Sequence, residues 1–201
     1  MSMTRPFLYL SSADAQLSLG LGEEKPSERL FFAVMPDAET AAAAGRLARD
    51  LVGQENLSGK PLAEARLHVT LHHLGDYAGL PPSLLARARA AAERLRMEAF
   101  DVRFDRVGTF GGRRRQMPCV LRGEDGVKGL FQLQRTLARR MAEQGIAGDT
   151  AFTPHMTLLY TDTALPLRRV EPVQWRAREF VLIRSFLGQT RYQLEGRWPL
   201  A

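Results

Sequence analysis

Two tetrapeptides of the same shape stand far apart in the chain: His68-Val69-Thr70-Leu71 and His155-Met156-Thr157-Leu158. The chain has four histidines, and these segments use two of them. Each lies in a short apolar run that reads as a β-strand, where residues i and i+2 share a face. Each motif then presents one imidazole and one hydroxyl side by side. Two such strands facing each other would supply two imidazoles as acid and base and two hydroxyls to hold an anion. In-line displacement at a phosphodiester needs that set: a base for water, an acid for the leaving oxygen, donors for the non-bridging oxygens, and attacker and leaving group on opposite sides. Histidine's ordinary pKa of about 6.5 lets one ring be neutral while the other is charged.

A single strand histidine is more often a core residue than a catalyst. Two copies in the same local frame, each with Thr at i+2 and Leu at i+3, shift that balance toward chemistry. A metal site is the competing use, since strand parity puts His68 and His72 on one face. Neither motif carries Asp or Glu, and zinc takes three or four ligands. The expectation is therefore no metal and no cofactor.

These motifs need strands, and the strands need a frame. Residues 1–28 show little pattern and read as an extension, partly disordered, with Thr4 to Leu10 as one further strand. The domain is expected over 29–201. Leu30 to Val34 reads as a buried strand, and Asp37 as the N-cap of a helix over 38–52 with Ala44, Leu47, Ala48 and Leu51 inward. Leu67 to Leu74 is the first motif strand. Pro81-Pro82-Ser83 opens a second helix, striped by Leu84, Ala88, Ala91 and Leu95. Strands follow at 100–107 and 117–121, separated by a basic loop, Gly111-Gly112-Arg113-Arg114-Arg115. A third helix spans 126–143 and stops at Gly145 and Gly148. Residues 152–160 form the second motif strand, and 180–187 with 192–194 a closing hairpin around Gly188-Gln189. A helix starts about 30 residues before each motif histidine and leads into its strand. That internal likeness suggests a duplicated β-α-β lobe. The expected class is α+β, with two mostly antiparallel sheets facing a central cleft and helices outside.

Bulk composition agrees with a soluble globular chain of 201 residues, 45% hydrophobic and 25% charged. No run approaches the roughly 18 apolar residues of a membrane helix. Phe7 to Leu10 is too short for a secretory core, so a cytoplasmic location is expected by default; a monomer is the separate expectation for its assembly. The lone Cys119 rules out an internal disulfide and reads as a small buried hydrophobe. A net charge of +6, mostly from arginine, suits phosphate-bearing partners.

The paired motifs resemble the double His-x-Thr signature of the 2H phosphoesterase superfamily. Within it the chain is most similar to the RNA 2′,3′-cyclic phosphodiesterases, also called 2′–5′ RNA ligases. Arg29-Leu30-Phe31-Phe32-Ala33-Val34 before Pro36, Leu74-Gly75 after the first motif, Val107-Gly108-Thr109-Phe110, Phe152-Thr153-Pro154 before the second motif, and Ser185, Tyr192 and Trp198-Pro199-Leu200 carry the likeness. It covers about residues 29–200. The resemblance implies a bilobal fold, a basic cleft and metal-independent opening of a terminal 2′,3′-cyclic phosphate to a 2′-phosphate. It implies His68 as acid for the 3′-oxygen, His155 as base for water, and Thr70 and Thr157 as phosphate holders. RNA ends or cyclic nucleotides would be the partners, and weak reverse 2′–5′ ligation is thermodynamically allowed.

The chain also departs from that pattern. Where relatives often carry Arg two residues after the first Thr, it has His72, which parity places in the cleft; His73 is expected on the opposite, structural face. The Arg often found three residues after the second Thr is replaced by Tyr160. Arg113, Arg114 and Arg115 read either as phosphate contacts or as a solvated loop. Phe110 reads either as a base-stacking platform or as a core side chain. Two other uses of the fold stay open: a related enzyme on small cyclic nucleotides or 2′–5′ oligonucleotides, and a catalytically idle RNA-binding module.

Overall fold

The computed structural model describes residues 25–111, 116–147 and 151–201. The order is β1 (Glu28–Val34), α1 (Ala38–Gln54), β2 (Val69–Tyr77), α2 (Pro82–Glu93), β3 (Phe100–Thr109), β4 (Met117–Arg122), α3 (Lys128–Glu143), β5 (Met156–Thr161), β6 (Arg168–Ala177), β7 (Glu179–Phe186) and β8 (Arg191–Pro199). Two four-stranded sheets result, ordered β2-β1-β7-β8 and β5-β4-β3-β6. All pairings are antiparallel. The fold is α+β, as expected from the sequence. The units β1-α1-β2 and β4-α3-β5 correspond, and each places its motif strand at the edge of its sheet.

Local chemistry explains most boundaries. The Asp37 carboxylate accepts the Thr40 backbone N–H at 2.8 Å and so caps α1. Pro82 opens α2, where its missing N–H costs nothing. Gly145 follows α3 at φ +67, a left-handed turn natural to glycine. Gly148 and the proposed strand at Thr4 to Leu10 lie outside the described residues. The strand β6 was not anticipated: Pro172 and a run of arginines obscure an inward alternation of Val173, Trp175 and Ala177. Proline is tolerated there because β6 is an edge strand.

One apolar core joins the two sheets, drawing on Leu30, Phe32 and Val69 from the first and Phe104, Leu121 and Met156 from the second. α1 packs against β5 and β6, and its Thr40 hydroxyl donates to the Gln174 carbonyl at 3.2 Å. α3 packs against β2 as well as β3, so the helices tie the sheets together. Cys119 is fully buried, which pushes its thiol up to about 11. The opposite face of the first sheet carries a small separate cluster, Phe31, Ala33, Val181 and Ile183, backed by Tyr192. That face looks toward the motifs. Among the described residues no helix is long and apolar enough to cross a membrane.

Candidate active site

His68 and His155 each sit one residue before an edge strand, β2 and β5, rather than within it. The segment leading to His68 crosses to the other sheet: Leu62 N–H donates to the Leu158 carbonyl at 2.8 Å, and Pro61 bridges to Leu159. This stitch brings the two motifs to one cavity of about 470 Å3 lined by His68, Thr70, His155 and Thr157.

Both imidazoles are held alike. His68 Nδ1 lies 2.7 Å from the Arg66 carbonyl oxygen, and His155 Nδ1 lies 2.7 Å from the Thr153 carbonyl oxygen. A carbonyl can only accept, so each Nδ1 carries its hydrogen and each Nε2 is left for proton exchange. Aromatic rings fix the planes. Phe31 packs on His68 with centroids 4.9 Å apart, and Tyr192 meets it edge-on at 5.9 Å. Phe110 meets His155 edge-on at 4.9 Å. Each wall carries an arginine: Arg66 lies 4.9 Å over Tyr192, and Arg122 lies 5.2 Å over Phe110.

These surroundings set the basicities. Burial pushes the His68 imidazole down from 6.5 to about 4; the Arg66 carbonyl opposes this, and the charges of His155 and Arg66 add to it. Burial also lowers His155, opposed by the Thr153 carbonyl and assisted by Arg122. The cleft rim carries a second cluster. Arg29 grips Asp76 through Nε and Nη2 at 2.7 Å each, and His73 Nε2 donates to the same carboxylate at 3.0 Å. The Arg29 hydrogen bonds, opposed by burial and helped by His73, hold Asp76 down at about 2.

The placement of His72 corrects the sequence reading. Thr70 pairs with Ala33 while His72 pairs with Phe32, so Leu71 is an extra residue, a β-bulge, in β2. A bulge reverses the alternation beyond it. His72 therefore turns into the core at 2% exposure, and His73, expected on the structural face, lines the cleft instead. The same device recurs in β5. Thr157 pairs with Val120 and Leu159 with Cys119, leaving Leu158 extra, so that Leu159 is buried and Tyr160 lines the cleft at 50% exposure. In both motifs, the third residue after Thr joins the site.

Arg113, Arg114 and Arg115 lie outside the described residues. Phe110 is half-buried and engaged with His155 and Arg122. Arg29, Arg66, His73, Tyr160 and Tyr192 are site residues that the motif reading missed. Arg66 ends a short 3-10 turn, Glu64–Arg66, so strand parity could not have flagged it. Tyr160 and His73 could not be found by parity, because the bulges reverse it. Among the described residues no group of three or more His, Cys, Asp or Glu side chains is placed to hold a metal ion.

Two edge strands that carry the same bulge and the same histidine contact, and that meet at one cavity, are the geometry the repeated motif called for. The sequence model of the 2′-5′ RNA ligase superfamily matches residues 30–186. The chain belongs to this superfamily, the 2H phosphoesterases. Solved structures agree. A structure described as a phosphoesterase is 28% identical, with TM-score 0.69, covering 87% of this chain and 99% of its own. E. coli LigT complexed with ATP is 26% identical, with TM-score 0.70, covering 88% and 99%. TT0787 of Thermus thermophilus is 27% identical, with TM-score 0.69, covering 86% and 97%. A search of curated proteins gives no match. Membership in this superfamily supports phosphodiesterase activity in general.

Proposed function

We propose that this 2H phosphoesterase opens the terminal 2′,3′-cyclic phosphate of RNA to a 2′-phosphomonoester without a metal ion. The observation that carries the reading is the matched pair of imidazoles, each with Nδ1 pinned by a backbone carbonyl, sharing one cavity with Thr70 and Thr157. In this mechanism His155 Nε2 takes a proton from water as its oxygen attacks phosphorus. The bond from phosphorus to the 3′-oxygen breaks, and protonated His68 gives that oxygen its proton. The threonine hydroxyls donate to the non-bridging oxygens. A bound phosphate anion raises the basicity of His68, which burial has lowered, and so favours the protonated form that its role needs. The same forward steps, with a 5′-hydroxyl attacking in place of water, form a 2′–5′ linkage, with the 3′-oxygen again leaving and taking the His68 proton.

Structures of the similar E. coli LigT with phosphate and with 3′-AMP support a nucleotide-sized phosphate ligand. The cavity of about 470 Å3 favours a second reading on the same atoms, in which a cyclic mononucleotide is the substrate. The test is a panel of cyclic-phosphate-ended RNAs and 2′,3′-cyclic mononucleotides assayed in chelator. His68→Ala and His155→Ala are each expected to lose about 10²–10⁴-fold in turnover while staying folded. Near-wild-type turnover in either variant, or strict dependence on an added divalent ion, refutes the mechanism. An exclusively 3′-phosphate product exchanges the roles of the two histidines.

A further inference from the structure

The cations around the cavity are not equivalent. Arg29 is neutralised by Asp76 through two hydrogen bonds, and His73 donates to the same carboxylate. Arg66 differs. It lines the cavity, and among the described residues no carboxylate forms an ion pair with its guanidinium. Its Nε is buried without a hydrogen-bond partner. The contact it does make is with the face of Tyr192, 4.9 Å from the guanidinium carbon.

A half-buried guanidinium without a counter-charge is costly to keep unless an anion completes it. Stacking on Tyr192 restricts the plane of the fork, so less freedom is lost when an anion binds. Tyr192 also touches His68 edge-on, and the Arg66 carbonyl accepts from His68 Nδ1. One residue thus orients an imidazole through its backbone and offers an unsatisfied cation through its side chain. The second motif strand places Tyr160, not an arginine, in the cavity.

We propose that Arg66 is the phosphate-binding cation of this site, donating from its guanidinium to the non-bridging oxygens of the reacting phosphate beside Thr70 and Thr157. The assignment rests on the phosphodiesterase reading for its substrate but not for its test, because inorganic phosphate reports the anion site by itself. A diester carries a negative charge, and Arg66 offers it a guanidinium that no carboxylate among the described residues engages, on the same wall as His68.

The experiment measures binding of inorganic phosphate by titration calorimetry to the full chain and to Arg66→Met, Arg66→Gln and Arg191→Met. Arg191 is an exposed arginine stacked on Phe186 outside the cavity, so its variant controls for loss of overall charge. Circular dichroism checks folding, and Arg66→Gln serves if the methionine variant does not fold. Both Arg66 variants are expected to raise the phosphate Kd about 10–100-fold, the value of a charge-assisted hydrogen bond. Arg191→Met should change it less than about threefold, a few tenths of the free energy of that bond. Unchanged affinity in the Arg66 variants, an equal loss in Arg191→Met, or no phosphate binding by the wild type overturns the proposal. Arg66-dependent phosphate binding without turnover of any cyclic phosphate would refute the cyclic-phosphate reading and leave this one standing. Turnover of cyclic phosphate with unchanged phosphate affinity in Arg66→Met would do the reverse.

Discussion

Acidification should destabilise this protein through His68, and the size of the effect follows from its surroundings. The imidazole titrates near 6.5 when free and near 4 in the folded chain, chiefly because it is buried. Between these values the unfolded chain takes up a proton that the native chain refuses. Unfolding is then favoured as pH falls below 6.5, and the effect levels off below about 4. Above pH 7 both states are neutral and the group contributes nothing to the pH dependence. A lowering of this size corresponds to about 2–3 kcal/mol lost between pH 7.5 and 4.5. His155 is lowered as well, and the unfolded-chain titration of Asp76 and Glu28, both lowered in the folded chain, begins at the acid end of this range. The clean quantity is therefore a difference. His68→Gln removes the titration, and the Gln amide can still donate to the Arg66 carbonyl. Urea unfolding of both proteins at pH 7.5, 6.5, 5.5 and 4.5 gives the two stability curves. The gap between them should change by about 2–3 kcal/mol toward acid, in favour of the variant. Parallel curves would refute the argument that His68 is held neutral by burial.

Because both imidazoles titrate below 6.5, kcat/KM for a cyclic phosphate should follow a bell centred on the acid side of 6.5, and an optimum above pH 7 would contradict the lowered values. His73→Ala should raise KM with little change in thermal stability, whereas His72→Ala should lower Tm and leave KM near wild type; the opposite pattern would mean the bulge at Leu71 is misplaced. Gly75 has φ +129, and a Cβ there would lie 2.6 Å from the Tyr77 hydroxyl oxygen. Gly75→Ala should therefore cost about 1–3 kcal/mol in urea unfolding, and a neutral result would show that β2 relaxes around the new side chain.

The sequence determined the pair His68 and His155, the companion threonines, the helices and most of the strands. These are local properties: a motif is a run of neighbours, and a helix or strand shows its period in one window. It also determined the family, since the two motifs sit in recognisable flanks. Tertiary structure decided which other residues reach the chemistry. Each motif strand carries one extra residue directly after its threonine. The alternation that would place His72 in the cleft holds only for an unbulged strand, and a bulge is defined by the partner strand, which the local sequence does not display. The burial that lowers His68, the ring of Tyr192 beneath Arg66, and the Asp76 carboxylate that neutralises Arg29 and not Arg66 depend likewise on residues distant in the chain. The candidate reacting groups could be named from sequence because chemistry restricts which side chains can serve; their electrostatic setting could not, because charge acts through space and only the folded chain fixes the distances.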